Sequence, residues 1–360
     1  MAFRVSIATI GFLLLLPSFS CFQQPLLLFS TSKAKDPPRI ICSATRDVPS
    51  GPDNDLTPSS SSSSLPSPQL TLEELASQLA NAKFQNIVVV NGAGVSVSAG
   101  IPDFRTPGTG LYSRLAELDL PYPEAVFELN YFRQNPKPFL EVAQSIWPGQ
   151  ETGPKATWAH SFVALLDQKK LLKRVYTQNI DGLESLAGVS TDKLIECHGH
   201  FRSASCTSIS CHRNQKKGTI DIQACRESYL SGKVPECPEC NSPVKPDIVF
   251  FGENLPNIFV DRIDQDMDEC DLLIVMGTSL LVDPVASIPR CVGRNVPRLL
   301  INRELVGAFL GGGGIHSKKR DVFLQGDCDD GVRKLCRLVG DNWAKELEQL
   351  HQSTSTPKRP

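Results

Sequence analysis

No excess of charge of either sign marks this chain: 37 Lys and Arg stand against 39 Asp and Glu in 360 residues. Such a balance asks for neither a nucleic-acid backbone nor an anionic membrane as partner. Long apolar runs are missing too. The strongest, Ile7–Leu16, is about half of the ~20 residues that a bilayer-spanning helix needs. There is no internal repeat, so a solenoid or propeller is not expected. Acid is absent from residues 1–35, where only Arg4, Lys33 and Lys35 are charged. A short apolar run in an acid-free leader suits a secretory signal, with Arg4 ahead of it and small residues near Ser20, or an organelle presequence. A leader that is unstructured and carries no address is the third reading.

What is present describes a globular protein. Apolar residues make up 41% of the chain, an ordinary share, and the length suits about two domains. Residues 1–48 read as the leader. Residues 49–69 are dominated by Ser and Pro, including the run Ser59–Ser64, and form a linker without the apolar surface to fold. The folded part begins near Leu70. Thr71-Leu-Glu-Glu74 matches a capping box opening a helix that reaches about Ala82. Apolar runs that suit buried parallel strands follow: Ile87–Val90, Leu172–Thr177, Leu194–Cys197, Ile248–Phe251, Leu272–Met276 and Leu299–Ile301. Helical patterns lie between several of them, as at Ala156–Lys169 and Pro256–Cys270. The alternation predicts an α/β fold with a doubly wound, parallel, Rossmann-like sheet. Its core is expected over 70–105, 156–199 and 246–340. Two stretches break the pattern: a Pro-, Tyr- and Phe-rich helical insertion at 106–155 and a cysteine-bearing one at 200–245. Together they suit a smaller helical and zinc-binding domain. The folded region is expected to end near 345, with 346–360 as a tail frayed from Ser353.

The most informative stretch follows the first apolar run: Asn91-Gly92-Ala93-Gly94-Val95-Ser96, then Gly100-Ile101-Pro102-Asp103-Phe104-Arg105. A strand running into a glycine-rich turn brings backbone N–H groups up to a pyrophosphate. Gly92 and Gly94 fill the first two positions of a G-x-G-x-x-G fingerprint, but Val97 stands where the third glycine belongs. A hydride-transferring dehydrogenase would also place an acidic residue about 20 positions on, past the next strand. Glu117 and Asp119 lie near that distance but in a Pro-rich stretch that is no strand.

Polar residues end four further apolar runs: Thr177-Gln178-Asn179-Ile180-Asp181-Gly182, Glu196-Cys197-His198-Gly199, Gly277-Thr278-Ser279 and Asn302-Arg303-Glu304. Each alone reads as a turn or a surface group. Together they point to one crevice at the carboxyl end of the sheet, where open α/β sheets bind ligands. His198 is the candidate general base, because an unperturbed imidazole titrates near neutrality.

Of the twelve cysteines, Cys206 and Cys211 are separated by four residues and Cys237 and Cys240 by two, with 25 between the pairs. Two such pairs fit a tetrahedral four-thiolate zinc site, and Pro238 suits the tight knuckle of the second. All four positions are filled, so the expected zinc is structural, one per chain. Disulfides are the alternative in a secreted chain. The other eight cysteines, Cys225 among them, read as small buried hydrophobes, and His212 as a surface residue. A zinc ribbon can bind nucleic acid, but Arg213, Lys216 and Lys217 are few and no aromatics interleave.

In this order, the segments resemble the sirtuin pattern over about residues 80–340. The shared motifs are Gly-Ala-Gly-x-Ser with Gly-Ile-Pro-Asp-Phe-Arg, Thr-Gln-Asn-Ile-Asp, His-Gly, the cysteine pairs, Lys-Pro-Asp-Ile-Val-Phe-Phe-Gly-Glu at 245–253, Gly-Thr-Ser, and Leu-Leu-Ile-Asn at 299–302. Pro121-Tyr-Pro-Glu-Ala and Asn135-Pro-Lys-Pro-Phe resemble class I members, notably the mitochondrial sirtuin-three type and its cytosolic relative. Sirtuins are NAD-dependent protein lysine deacylases. The resemblance therefore implies NAD as co-substrate, its pyrophosphate over Gly92, Ala93, Gly94 and Ser96. It implies a loop from Gly100 to Tyr112, with Ile101, Asp103, Phe104 and Arg105, that closes over the nicotinamide ribose. Ile101, Asn179 and Asp181 would surround the carboxamide, with Gln178 and Ile180 in the same cofactor-binding run. Gly277, Thr278, Ser279, Asn302, Arg303, Glu304 and Cys328 would line the adenosine half. Val249, Phe251, Gly252 and Glu253 would line the acyl-lysine channel and pair with the peptide backbone.

The implied reaction begins when the acyl oxygen of a modified lysine attacks the ribose C1′ and expels nicotinamide. Asn179 and His198 are the implied catalytic residues. His198 acts as general base on the ribose hydroxyls, so that the 2′-oxygen takes over the acyl group. The products are lysine, nicotinamide and 2′-O-acetyl-ADP-ribose. Acetylated proteins are then the partners, with no nucleic acid or membrane, and a monomer is the favoured state. Desuccinylase-type sirtuins use a Tyr-x-x-Arg pair, which occurs nowhere in this chain, so an uncharged acyl group is expected. The chain departs from the pattern at Thr106, Cys197, His200 and Leu281, the last replacing a Glu or Gln that usually flanks the peptide. NAD chemistry and a thiolate metal site favour a reducing compartment. The leader is accordingly expected to be a transit peptide to the mitochondrial matrix, with a cytoplasmic or nuclear address as the alternative. Three rival functions remain: an NAD oxidoreductase, a non-enzymatic zinc-ribbon binding module, and a protein ADP-ribosyltransferase on the same fold.

Overall fold

Nine strands occur among the described residues: β1 (Ile87–Asn91), β2 (Leu172–Thr177), β3 (Leu194–Glu196), β4 (Gly199–Cys206), β5 (Thr219–Ile220), β6 (Val244–Ile248), β7 (Leu272–Met276), β8 (Arg298–Asn302) and β9 (Asp321–Gln325). The computed structural model describes residues 69–355, except 104–105, 107, 109, 116–117, 119, 149–152, 214–218 and 312–318. The expected leader, the linker up to 68 and the last five residues lie outside the described residues. So do Phe104, Arg105 and the side chain of Tyr112.

Six strands form one sheet in the order β3-β2-β1-β7-β8-β9, every pairing parallel. All five residues of β1 and of β7 are buried, as a sheet covered on both faces requires. Alternate side chains of β1 serve opposite cores. Ile87 and Val89 pack with Leu75, Phe162 and Leu335 from the helices Leu72–Ala80, Trp158–Gln168 and Cys328–Val339. Val88 and Val90 pack with Phe259 and Ile263 of the helix Asn257–Glu269. Thr71 opens the first helix as expected: its Oγ1 accepts the Glu74 N–H at 3.1 Å, and Glu74 Oε2 accepts the Thr71 N–H at 3.0 Å.

The sheet is wound outward in both directions from the β1–β7 contact. β1 leads to β2 and β3 on one side, and β7 leads to β8 and β9 on the other. That reversal leaves a crevice above the carboxyl ends of β1 and β7, the usual ligand position in such sheets.

The run Ile248–Phe251 is not a strand of this sheet. Ile248 ends β6, which pairs antiparallel with β4 in a separate three-stranded sheet, β5-β4-β6. Beyond it the chain turns over the crevice, with Phe250 buried edge-on against Phe127, Phe132 and Phe139. A second hydrophobic cluster draws Phe132, Phe139 and Trp147 together with Phe201, Cys225 and Tyr229. At the C-terminus the helix Asp341–Ser355 runs through residue 345, where the tail is expected to begin, and buries Leu347 in the main core.

Candidate active site

The ends of β1 and β7 meet glycine against glycine. The Gly92 N–H donates to Met276 O at 3.0 Å and the Gly94 N–H to Gly277 O at 2.8 Å. A Cβ on Gly94 would lie 2.6 Å from Gly277 Cα, and Gly277 itself takes a left-handed φ of 59°. The β7 loop thus takes both of these N–H groups. The turn continues as the short helix Ala93–Ala99, and the Ala93 N–H has no backbone acceptor. Ala93 is thus the donor left at this turn.

Above the glycines lies a crevice of about 570 Å³. It gathers Gly92, Ala93, Gly94, Asp103, Gln178, Asn179, Ile180 and His198 with Gly277–Ser279, Asn302–Glu304 and Cys328. Val249, Phe251, Gly252 and Glu253 form its other wall. Ser96, Ile101 and Asp181 lie outside this lining. Asp327, Phe127, Phe250 and Val282 line it without having been singled out in the sequence.

The residues after β2 tie the two halves together. The Gln178 N–H donates to Asn91 O at 2.9 Å, and its Nε2 donates to Thr278 Oγ1 at 2.9 Å. Asn179 is buried, with Nδ2 donating to Gly92 O and to Ser96 Oγ, both at 3.2 Å. Ser96 Oγ donates in turn to Asp181 Oδ2 at 2.7 Å. Ser96 and Asp181 therefore stand behind Asn179 and hold it. Asp103 is held in the same way by Thr106, whose N–H donates to Oδ1 at 2.7 Å.

His198 follows β3 and faces the crevice. Its Nδ1 lies 2.9 Å from Gln178 O. A carbonyl can only accept, so Nδ1 carries the proton and Nε2 keeps a free lone pair. Burial lowers the His198 pKa, and the hydrogen bond to Gln178 only partly opposes this. The ring is then neutral at physiological pH and suited to act as a base. Gly199 adopts φ 76° with Asp247 O where a Cβ would stand, and the Val249 N–H donates to His198 O at 2.7 Å. The segment 247–249 is thereby locked against the histidine. Cys197 is buried and its thiol pKa is pushed up by burial, which removes it as a nucleophile.

The opposite wall is extended backbone. The Phe251 N–H donates to Phe127 O at 2.8 Å, and the Leu129 N–H to Phe251 O at 3.1 Å. Glu253 is not free: its Oε2 accepts the Phe250 N–H at 2.7 Å and pairs with buried Lys245 at 2.8 Å. Leu281 stands 67% exposed between the buried Leu280 and Val282, which lines the crevice. At the far end, Asn302 Nδ2 donates to Glu304 O at 2.9 Å, and Arg303 pairs with Asp327 at 2.6 Å. Cys328 is buried against Ile301.

The four paired cysteines also converge. Cys206 and Cys240 approach to 3.4 Å between sulfurs and Cys211 and Cys237 to 3.8 Å, and all four sulfurs lie within 4.8 Å of one another. Four thiolates about 2.3 Å from one ion have this spacing, so the donor set fits a structural zinc ion. None of the four lines the crevice.

The Sir2 family model matches residues 92–284. NAD-dependent protein deacetylase sirtuin-2 of Danio rerio is 45% identical over 293 residues, 78% of this chain and 75% of its own. NAD-dependent protein deacetylase sirtuin-3 of Mus musculus is 46% identical over 284 residues, 79% and 80% of the two chains. NAD-dependent protein deacetylase hst2-1 of Emericella nidulans is 50% identical over 286 residues, 79% and 74%. The sirtuin-2 and sirtuin-3 relatives are thus about equally similar to this chain. With the glycine floor, the Gln178–Asn179 bridge, the neutral histidine and the four-cysteine module in their places, the chain belongs to the Sir2 family, that of the sirtuins.

Proposed function

We propose that this protein removes acetyl groups from protein lysines, using NAD as a consumed co-substrate. The observation that carries the reading is His198, neutral and held in one tautomer with Nε2 toward the crevice. Nicotinamide leaves when the acetyl oxygen attacks the ribose C1′. Asn179, Ser96 and Asp181 orient the carboxamide, with Ile101 beside them. His198 Nε2 then takes a proton from the ribose hydroxyls, and the 2′-oxygen receives the acetyl carbon. Water releases lysine, leaving 2′-O-acetyl-ADP-ribose. The pyrophosphate lies over the turn of Gly92, Ala93, Gly94 and Ser96, and Gly277–Ser279, Asn302–Glu304 and Cys328 hold the adenosine. The peptide adds as a strand along Val249, Phe251, Gly252 and Glu253. Zinc holds the smaller cluster and takes no part in the chemistry.

The deacetylase reading is favoured over ADP-ribosyl transfer because the similar proteins carry deacetylase names. An uncharged acyl group suits a wall of Phe127, Ile248, Val249 and Phe250, where the nearby Lys245 is bound to Glu253 and to Ile248 O. Acetylated proteins are the partners, met by a monomer. The acid-free leader supports the mitochondrial matrix as the address, with cytoplasm or nucleus as the second reading. The relatives include both sirtuin-2 and sirtuin-3 and do not choose between these addresses. No helix among the described residues is long and apolar enough to cross a membrane. An acetyl-lysine peptide incubated with and without NAD tests the chemistry: lysine and nicotinamide should appear together and only with NAD. Imaging of residues 1–70 fused to a fluorescent reporter tests the address, and secretion of the fusion refutes it.

A further inference from the structure

Behind the crevice floor, a second cluster of polar groups is sealed inside the protein, and the reaction scheme does not use it. Asn91, His160 and Glu184 are each 1% exposed or less. A ring nitrogen of His160 and one carboxylate oxygen each of Asp181 and Glu184 lie within 4.8 Å of one another. The chain brings them from far apart: Asn91 ends β1, His160 lies in the first turn of the helix Trp158–Gln168, and Glu184 sits in the short helix Leu183–Leu186.

Donors and acceptors there do not balance. The Thr157 N–H donates to His160 Nδ1 at 3.2 Å. Thr157 Oγ1 lies 2.8 Å from the same nitrogen and donates to Val95 O at 2.8 Å, so Thr157 occupies Nδ1 in either tautomer and leaves Nε2 to face the cluster. His160 Nε2 has no hydrogen-bond partner, and neither has Asn91 Oδ1. Asn91 Nδ2 is engaged with Glu184 Oε1 at 3.1 Å. A buried ring nitrogen and a buried amide oxygen thus go unpaired beside two carboxyl groups, an arrangement that folded proteins rarely leave unanswered.

A single water molecule answers it. Water both donates and accepts, so it can meet His160 Nε2 in either tautomer, donate to Asn91 Oδ1 and bond a carboxyl group, the usual three bonds of a buried water. We infer that Asn91, His160 and Glu184 enclose a buried water that holds Asp181, and that they are positioning residues for the nicotinamide end of the crevice. The inference rests on the proposed reading of Asn179 and Asp181 as neighbours of the carboxamide.

The link to the crevice is short. Asp181 Oδ2 accepts from Ser96 Oγ at 2.7 Å, Ser96 Oγ accepts from Asn179 Nδ2 at 3.2 Å, and Asn179 lines the crevice. Any shift of the Asp181 carboxylate reaches Asn179 through one hydroxyl. Burial also raises the Glu184 pKa, with His160 opposing and Asp181 adding to the rise. The cluster therefore resists holding two negative charges at once.

Two measurements test this. A high-resolution crystal structure of the full chain should show one water within hydrogen-bond distance of both His160 Nε2 and Asn91 Oδ1. A dry gap, or an anomalous signal from a metal there, overturns the inference. In steady-state assays, His160→Phe should raise the KM for NAD and the inhibition constant of free nicotinamide together, each by about tenfold, with the peptide KM within about twofold. His160→Gln, whose amide can donate or accept, should recover most of that loss. Glu184→Gln should shift NAD and nicotinamide in the same way, and carries the test should His160→Phe not fold. Losses that follow only the folded fraction, or that fall equally on NAD and peptide, overturn the inference. A wild-type chain that releases no nicotinamide overturns the deacetylase reading instead, and the crystallographic water is read independently of it.

Discussion

Gly94→Ala probes how the crevice floor is built. The new Cβ would stand 2.6 Å from Gly277 Cα and 2.9 Å from its carbonyl oxygen, where ordinary contact begins at 3.4 Å. The two loops must part by the difference, about 0.8 Å. That takes the 2.8 Å bond from the Gly94 N–H to Gly277 O out of hydrogen-bond range. Overpacking of this kind costs about 1–3 kcal/mol and the lost bond about 1 kcal/mol. The sum, about 2–4 kcal/mol, corresponds to a Tm lower by roughly 3–7 °C in a folded region of this size. Gly100→Ala separates clash from backbone strain, since Gly100 has φ 84° and nothing within 4 Å of a new Cβ. Its cost is strain alone, about 1–2 kcal/mol. Thermal unfolding followed by circular dichroism, with NAD titrated into each variant, reads both effects. Gly94→Ala should melt well below Gly100→Ala and bind NAD more weakly than the wild type. A Gly94→Ala protein that melts within about 2 °C of the wild type refutes the glycine-on-glycine floor.

Burial lowers the His198 pKa, and the base form is the active one, so the rate should fall only as pH drops below the ordinary histidine value of ~6.5. A kcat/KM profile with its acid limb above pH 6.5 contradicts the neutral-base assignment. Chelation should release one zinc per chain and abolish activity in step with loss of structure around Cys206 and Cys237, restored by zinc; full activity of zinc-free, folded protein would make the four-thiolate module dispensable. The Arg303–Asp327 pair is about 60% exposed on both sides, so Asp327→Asn should change stability by less than about 1 kcal/mol. It should still raise the KM for NAD severalfold by releasing Arg303, and an unchanged KM removes Arg303 from the adenosine end. Glu253→Gln should destabilise by about 1–3 kcal/mol, because Lys245 is buried and loses its carboxylate; an unchanged Tm shows that Ile248 O and Pro246 O suffice for that ammonium.

Much of this architecture was legible because it rests on local signals. The strand ends at Asn91 and Met276 follow unbroken apolar runs, that at Thr177 a run interrupted by Lys173 and Arg174, and each is followed by the polar or glycine residues that meet at the crevice. The Thr71 cap and the cysteine spacing are likewise local chemistry. What was illegible depends on long-range packing. Ile248–Phe251 looks like a strand, yet Lys245, Pro246 and Asp247 ahead of it form β6, and the apolar residues are claimed by the aromatic cluster and the crevice wall. β9 escaped notice because its burial alternates along the open edge of the sheet. Gly92 and Gly94 stand out in the sequence, but the packing of Gly277 against them, which leaves no room for a side chain, exists only in the folded chain. His160 and Glu184 gave no signal at all, since their closeness exists only in the folded chain.

The most direct test of the account counts products in a single turnover of wild-type protein and His198→Ala on an acetyl-lysine peptide. The wild type should yield one nicotinamide and one 2′-O-acetyl-ADP-ribose for each lysine freed. His198→Ala should form no acetyl-ADP-ribose, while exchange of labelled nicotinamide into NAD persists, because the base acts after nicotinamide has left. Lysine release without NAD, or full deacetylation by His198→Ala, would contradict it.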